Sequence, residues 1–137
     1  MNKIIGIIGL GSIAKRHIKN IQNIFPNYKI ACLSSRNNDL SQYDGIFLDC
    51  DFCNNIDELI LINPVFVILS CPSTYHLKYS KLLIEAGIPV LIEKPISSNY
   101  EDAKLIYDLA IKNKTRTQVG YCLRYLSSAM YIKENLI

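Results

Sequence analysis

No apolar run in these 137 residues approaches the ~18 that would cross a bilayer, so no transmembrane helix is expected. Charge of one sign is also scarce: 15 Lys and Arg against 12 Asp and Glu leave a net +3. The cations are scattered, which excludes the basic stripe of a nucleic-acid binder. The N-terminus lacks the basic start, apolar middle and small-residue cleavage site of a signal peptide. A cytoplasmic location is therefore the expectation, with neither a membrane nor a nucleic acid as partner. There are no internal repeats, no low-complexity tract and no linker. The length suffices for one domain with a real core and falls short of two.

The five cysteines, Cys32, Cys50, Cys53, Cys71 and Cys122, are odd in number and read as reduced, mostly buried thiols. Cys50 and Cys53 form C-x-x-C, but two further ligands at zinc spacing are missing, so no metal site is expected. A redox pair would open a helix after a strand. Here Asp49 and Asp51 flank Cys50 and are expected to raise its thiol pKa.

What is present is an alternation of strand and helix. Apolar Lys3–Ile8 leads into Gly9-Leu10-Gly11-Ser12-Ile13-Ala14. A helix over about Ser12–Phe25 follows, with Ala14, His17, Ile18, Ile21 and Phe25 on one stripe and Pro26 as its stop. A second strand covers Lys29–Ser34. Gly45–Leu48 reads as a short third strand. Asn55 with Glu58 reads as a capping box for a helix to Ile62. Val65–Ser70 is a continuous apolar run, as in a central parallel strand. A helix over Thr74–Ala86 stops at Gly87, and Pro89–Ile92 is a fifth strand. Ser98 with Glu101 reads as a second capping box, opening a helix to Asn113. Thr115–Gly120 is a sixth strand, and a last helix starts near Ser127. The fold class is α/β: a doubly wound parallel sheet of the Rossmann kind, helices on both faces, joined by right-handed crossovers.

Strand, glycine turn, helix, strand is how a dinucleotide pocket is built. Gly9 allows the tight turn, Gly11 clears space for a pyrophosphate, and Ala14 lets the helix sit close to the strand. The amides of Ser12 and Ile13 then face the phosphates at the positive helix end. At the end of the second strand an NAD enzyme carries an acid for the ribose hydroxyls. Ser34-Ser35-Arg36 has none. Ser35 offers a hydroxyl and Arg36 a cation suited to a 2′-phosphate, so NADP is favoured over NAD. An exposed loop arginine, or one stacked on adenine, is the alternative.

Lys94 falls just past the carboxyl edge of the fifth strand, where ligands of such sheets bind. Partly buried there, it could pass a proton to or from a substrate hydroxyl; otherwise it is a solvated lysine. Glu93 could hold Lys94 or a ribose hydroxyl, or make a structural ion pair. Pro95 could follow a cis bond that aims Lys94, or an ordinary trans one. Cys71, Pro72 and Ser73 follow the fourth strand, near the cofactor; Ser73 or Thr74 could equally cap the next helix. His17, on the apolar stripe, reads as a hydrogen-bonded packing residue. Arg124 and Tyr125 follow the sixth strand at the same edge.

Four segments together are similar to one family: Gly9–Ala14 with His17, Pro72-Ser73-Thr74-Tyr75-His76, Glu93-Lys94-Pro95, and Gly120–Tyr125. Their order and spacing resemble the N-terminal domain of the Gfo/Idh/MocA oxidoreductases. The resemblance implies that Lys94 is the catalytic acid/base and that His76 lines the cofactor side of the site as a second catalytic residue. It places Glu93 near the nicotinamide ribose. It implies a sugar, cyclitol or nucleotide-sugar substrate. Where this chain has Cys122 and Leu123 the family often has an asparagine and a second basic residue.

Residues 1–125 then form the dinucleotide-binding Rossmann domain. Residues 126–137 begin the helix leading to a C-terminal α+β substrate domain that this chain lacks, so a truncated boundary is expected. The family's second domain usually makes oligomer contacts, so a homo-oligomer is expected of a full-length protein. The leading reading is the cofactor half of an NAD(P)-dependent oxidoreductase, inactive alone. The alternatives are a non-catalytic dinucleotide-binding module and an inactive truncated relic.

Overall fold

The computed structural model describes residues 3–35 and 45–136. Its centre is β1 (Ile4–Ile8), where Ile5, Ile7 and Ile8 are fully buried. A strand apolar on both sides needs cover on both faces. The chain provides it by building a six-stranded parallel sheet in the order β3-β2-β1-β4-β5-β6. The other strands are β2 (Lys29–Leu33), β3 (Asp51–Cys53), β4 (Phe66–Leu69), β5 (Val90–Ile92) and β6 (Thr117–Val119). In register, Ile5 of β1 faces Ile30 of β2 and Phe66 of β4.

One face is covered by α1 (Ser12–Ile24), whose Ala14, Ile18 and Ile21 pack on Ile5, Ile7 and Ile68. The other face is covered by α2 (Ile56–Leu61), α3 (His76–Glu85) and α4 (Tyr100–Asn113). Leu59, Leu83, Ile84 and Ile106 fill that side against Ile8, Leu69 and Ile92. Gly87, at φ +74°, ends the α3 segment in the left-handed region that glycine tolerates. A last helix, α5 (Ser127–Asn135), follows a 3-10 turn at Cys122–Tyr125.

Two local expectations are corrected. Gly45–Leu48 is not a strand: Gly45–Phe47 is a 3-10 turn that buries Phe47 beneath α1, and the third strand is Asp51–Cys53. Periodicity cannot separate a short helix from a strand in so brief an apolar run. The first residue of the capping box before α4 also shifts by one. Asn99 is the N-cap, its Oδ1 accepting from the Asp102 amide at 2.8 Å. Ser98-x-x-Glu101 and Asn99-x-x-Asp102 carry the same pattern, and serine and asparagine rank alike as caps. Packing makes the choice, by turning Ile106 fully into the core. The Asn55 box before α2 forms, with a variation. Asn55 Oδ1 accepts from the Glu58 amide at 2.9 Å, but the Glu58 carboxylate takes the Asn54 amide at 2.8 Å. That backbone bond, then the Asn54 side chain, holds the Glu58 carboxyl below the usual range.

Replacing Asn99 by Ala should cost about 1 kcal/mol of stability. Replacing Ser98 by Ala should cost less than about 0.5 kcal/mol. Urea denaturation of both variants checks this; equal losses would contradict the Asn99 cap.

Candidate functional site

Strand order reverses between β1 and β4, so the chains leaving these neighbours part and leave a crevice beyond their carboxyl ends. Gly9 turns out of β1 at φ +93°. A Cβ there would lie 2.5 Å from the Cys71 amide nitrogen, so only glycine lets the two loops approach this closely. Ser70 stitches them: its hydroxyl donates to the carbonyls of Ile8 at 3.2 Å and Gly9 at 3.0 Å.

The crevice is a cleft of about 430 Å³. Gly9, Gly11, Ser12 and Ile13 line it from the β1 side, Ser34 and Ser35 from β2, and Cys71 and Pro72 from β4. All of these but Ser34 are among the expected cofactor contacts, brought together by three separate strand ends. Gly11 is the N-cap of α1 and supplies no side-chain cap, and the first turn carries no acid. The positive helix end therefore opens unopposed onto the cleft. A Cβ on Gly11 would meet nothing within 4 Å. The space an anion would need in front of the first turn is there. Burial pushes the Cys71 thiol up to about 11, which makes it an inert wall of the cleft.

A second cavity of about 380 Å³ lies on the other side of Ile13, which lines both. His17, Glu93, Lys94, Gly120, Tyr121 and Tyr125 line it. Lys94 follows β5 as expected, but it is exposed rather than partly buried. Its peptide bond to Pro95 is cis. Glu93 accepts from His17 Nε2 at 2.8 Å and from the Lys94 backbone amide at 3.2 Å. His17 is thus hydrogen-bonded, as expected, but its partner is a residue of the site rather than of the core. The clue in the sequence was a polar ring on an otherwise apolar stripe; its partner lies 76 residues away.

Three expectations change. His76 does not reach either cavity. It is 1% exposed, with Nε2 3.0 Å from the Cys71 carbonyl and Nδ1 3.1 Å and 3.2 Å from the carbonyls of Pro95 and Ile96. A ring clamped between main-chain acceptors ties the β4 loop to the Lys94 loop and has no edge left for substrate. Arg124 does not line either cavity: it is exposed on the 3-10 turn Cys122–Tyr125, of which Cys122 and Tyr125, with Tyr121 before them, line the second cavity. Ser73 begins the 3-10 turn Ser73–Tyr75 beyond the cleft, and neither it nor Thr74 caps a helix with its side chain. Arg36 lies outside the described residues.

Cys50 and Cys53 sit on opposite faces of the sheet, against different halves of the core, so C-x-x-C is not a unit. The Cys50 thiol donates to the Ile46 carbonyl at 3.8 Å and interacts with the Cys32 thiol of β2. Contrary to expectation the Cys50 thiol lies below its usual value: the Cys32 side chain lowers it and outweighs burial and the flanking Asp49 and Asp51, which raise it, and the same interaction drives Cys32 up. Among the described residues no group of three or more His, Cys, Asp or Glu could hold a metal ion, and no helix is long and apolar enough to cross a membrane.

Comparison with known proteins agrees with this geometry. Residues 3–121 match the model of an oxidoreductase family with an NAD-binding Rossmann fold. The inositol 2-dehydrogenase of Agrobacterium fabrum is 29% identical over 95% of this chain, and the glucose-6-phosphate 3-dehydrogenase of Bacillus subtilis 28% over 98%. The chain spans 40% and 38% of these relatives' lengths. Among solved structures, scyllo-inositol dehydrogenase from Lactobacillus casei, with bound NAD(H) and scyllo-inositol, superposes with a TM-score of 0.81 at 24% identity, over 99% of this chain and 41% of that one. The WlbA dehydrogenase from Bordetella pertussis, in complex with NADH and UDP-GlcNAcA, gives 0.84 at 22%, over 99% and 42%. At these identities the superpositions speak for the fold alone. The glycine turn, the reversal-point cleft and the family match meet in one conclusion: the chain belongs to the Gfo/Idh/MocA oxidoreductase family and comprises its NAD-binding Rossmann domain.

Proposed function

We propose that this chain is the cofactor-binding half of an NAD(P)-dependent oxidoreductase that moves hydride to or from a hydroxyl or keto carbon of a sugar, cyclitol or nucleotide sugar, in the cytoplasm. The observation that carries the reading is the uncapped, acid-free N-terminus of α1 opening onto the crevice between β1 and β4. Gly11, Ser12 and Ile13 hold the diphosphate. Ser35 and Arg36 take the adenosine ribose, and the absence of an acid at this strand end favours NADPH over NADH. When bound, the nicotinamide would supply the hydride chemistry. Lys94 gives a proton to the substrate oxygen in reduction and takes it back in oxidation. The substrate class follows from the relatives, which are named for inositol and glucose 6-phosphate.

The chain spans 40% and 38% of the length of its inositol and glucose-6-phosphate dehydrogenase relatives. The 137 residues alone bind dinucleotide without turnover, because the exposed Lys94 is not shielded from water.

Titration with NADPH and NADH, followed by nicotinamide fluorescence, should give saturable binding of both, tighter for NADPH. Binding of neither would end the reading. Gly9→Ala forces a Cβ onto Cys71 and should weaken both cofactors by at least about tenfold, the scale of one lost strong contact; unchanged affinity would remove the cleft from the site. Arg36→Ala should weaken NADPH more than NADH. Equal losses would refute the 2′-phosphate assignment.

A further inference from the structure

Glu93 is held from two directions. Oε1 takes the His17 ring N–H at 2.8 Å, and Oε2 takes the Lys94 amide at 3.2 Å. The carboxylate lies close against the end of β6: a Cβ on Gly120 would stand 3.6 Å from Oε1. Side-chain exposures of 18% for His17 and 22% for Glu93 leave the pair partly shielded, on the wall that Lys94 shares. A hydrogen bond to a carboxylate in such a place is both stronger and more directional than one in water.

His17 stands four residues after Ile13, on the same side of α1. Ile13 lines both cavities. The helix whose first turn faces the expected diphosphate thus grips, one turn later, the residue next to Lys94. Without that grip, Glu93 would keep only the bond to its own neighbour's amide, and its side chain could rotate away.

Resting on the function proposed above, we infer that His17 is a positioning residue for the nicotinamide end of the cofactor. Through Glu93 it fixes the carboxylate and the start of the Lys94 turn in register with the diphosphate-binding turn of the same helix. It touches no substrate atom. Its effect is confined to the half of the ligand beyond Ile13. The adenosine half, at Ser34 and Ser35, lies on the other side.

The experiment compares binding of NADPH and of ADP, by calorimetry, in the 137-residue chain and in two variants. His17→Leu removes the N–H; His17→Gln keeps a donor able to reach Glu93. Loss of one charge-assisted hydrogen bond should weaken NADPH by about tenfold in the Leu variant. ADP affinity should stay within about twofold, and the Gln variant should recover most of the loss. Should the Leu variant fail to fold by circular dichroism, His17→Asn, polar but too short to reach Glu93, repeats the comparison. Parallel losses of NADPH and ADP would mean that His17 merely packs, and would overturn the inference. So would an unchanged NADPH affinity, or a Gln variant as weak as the Leu one. A wild-type chain that binds ADP but neither NADPH nor NADH would instead overturn the function, and the inference with it.

Discussion

The whole site depends on the close passage of two loops, Gly9 after β1 and Cys71 after β4. Their strands are neighbours in the sheet but continue in opposite directions around it. Backbone must meet backbone there, and a Cβ on Gly9 would fall 2.5 Å from the Cys71 nitrogen. Because the loops touch at this point and part above it, the space beyond becomes a cleft rather than core. Ser70 adds the lock, since its hydroxyl answers two carbonyls of the departing β1 chain. The main-chain amides that open into the cleft at Gly11 stay uncapped because no side chain there competes for them. A ligand-binding surface is thus a consequence of how a parallel sheet changes direction, made usable by one glycine and one serine.

Two histidines extend this frame in different ways. His76 is spent on the scaffold: it faces the carbonyls of Cys71, Pro95 and Ile96 and so couples the β4 loop to the turn that carries Lys94. His17 acts from the opposite face of the sheet and meets Glu93 on the cavity wall. Lys94 therefore sits between two clamps, one behind it and one beside it, while its own side chain stays exposed. A long, flexible lysine loses rotamer entropy whenever it is ordered. In the proposed reaction, fixing its backbone in advance would leave only the side chain to be ordered.

How much of this could be read beforehand divides along a physical line. Features set by neighbours in the chain were legible: the β1–turn–α1 unit, the buried β4 run, the Asn55 box, the stop at Gly87 and the position of Lys94. Contacts between segments far apart were not. The sequence pattern placed His76 in a first helical turn, but it took the folded Pro95 loop to show that both ring nitrogens are occupied. It put Arg124 near the carboxyl edge of the sheet, but the 3-10 turn at Cys122–Tyr125 brings its neighbours Cys122 and Tyr125, and not Arg124, to the cavity lining. The sequence reads Cys50 and Cys53 as no functional pair, and their packing in different halves of the core fits that reading. The Gly45–Phe47 turn and the Asn99 cap failed for a narrower reason. Two local solutions were equally good, and the core, through Phe47 and Ile106, selected one.

Under the proposed function, the same division sets different demands for binding and for catalysis. Holding a diphosphate needs only amides, a helix end and space, all of which come from one crossover and its neighbours. Proton transfer coupled to hydride transfer needs more: reacting atoms near contact distance and water kept out. The Lys94 cavity has walls from α1, from the β5 loop and from the 3-10 turn after β6, and its rim carries the exposed apolar residues Tyr121 and Tyr125. Aromatic side chains at a rim are suited to contact with a further apolar surface rather than with water. In the proposed reaction, this sheet with helices on both faces presents the cofactor cleft and the Lys94 backbone, and a surface across this rim would shield the reacting atoms from water.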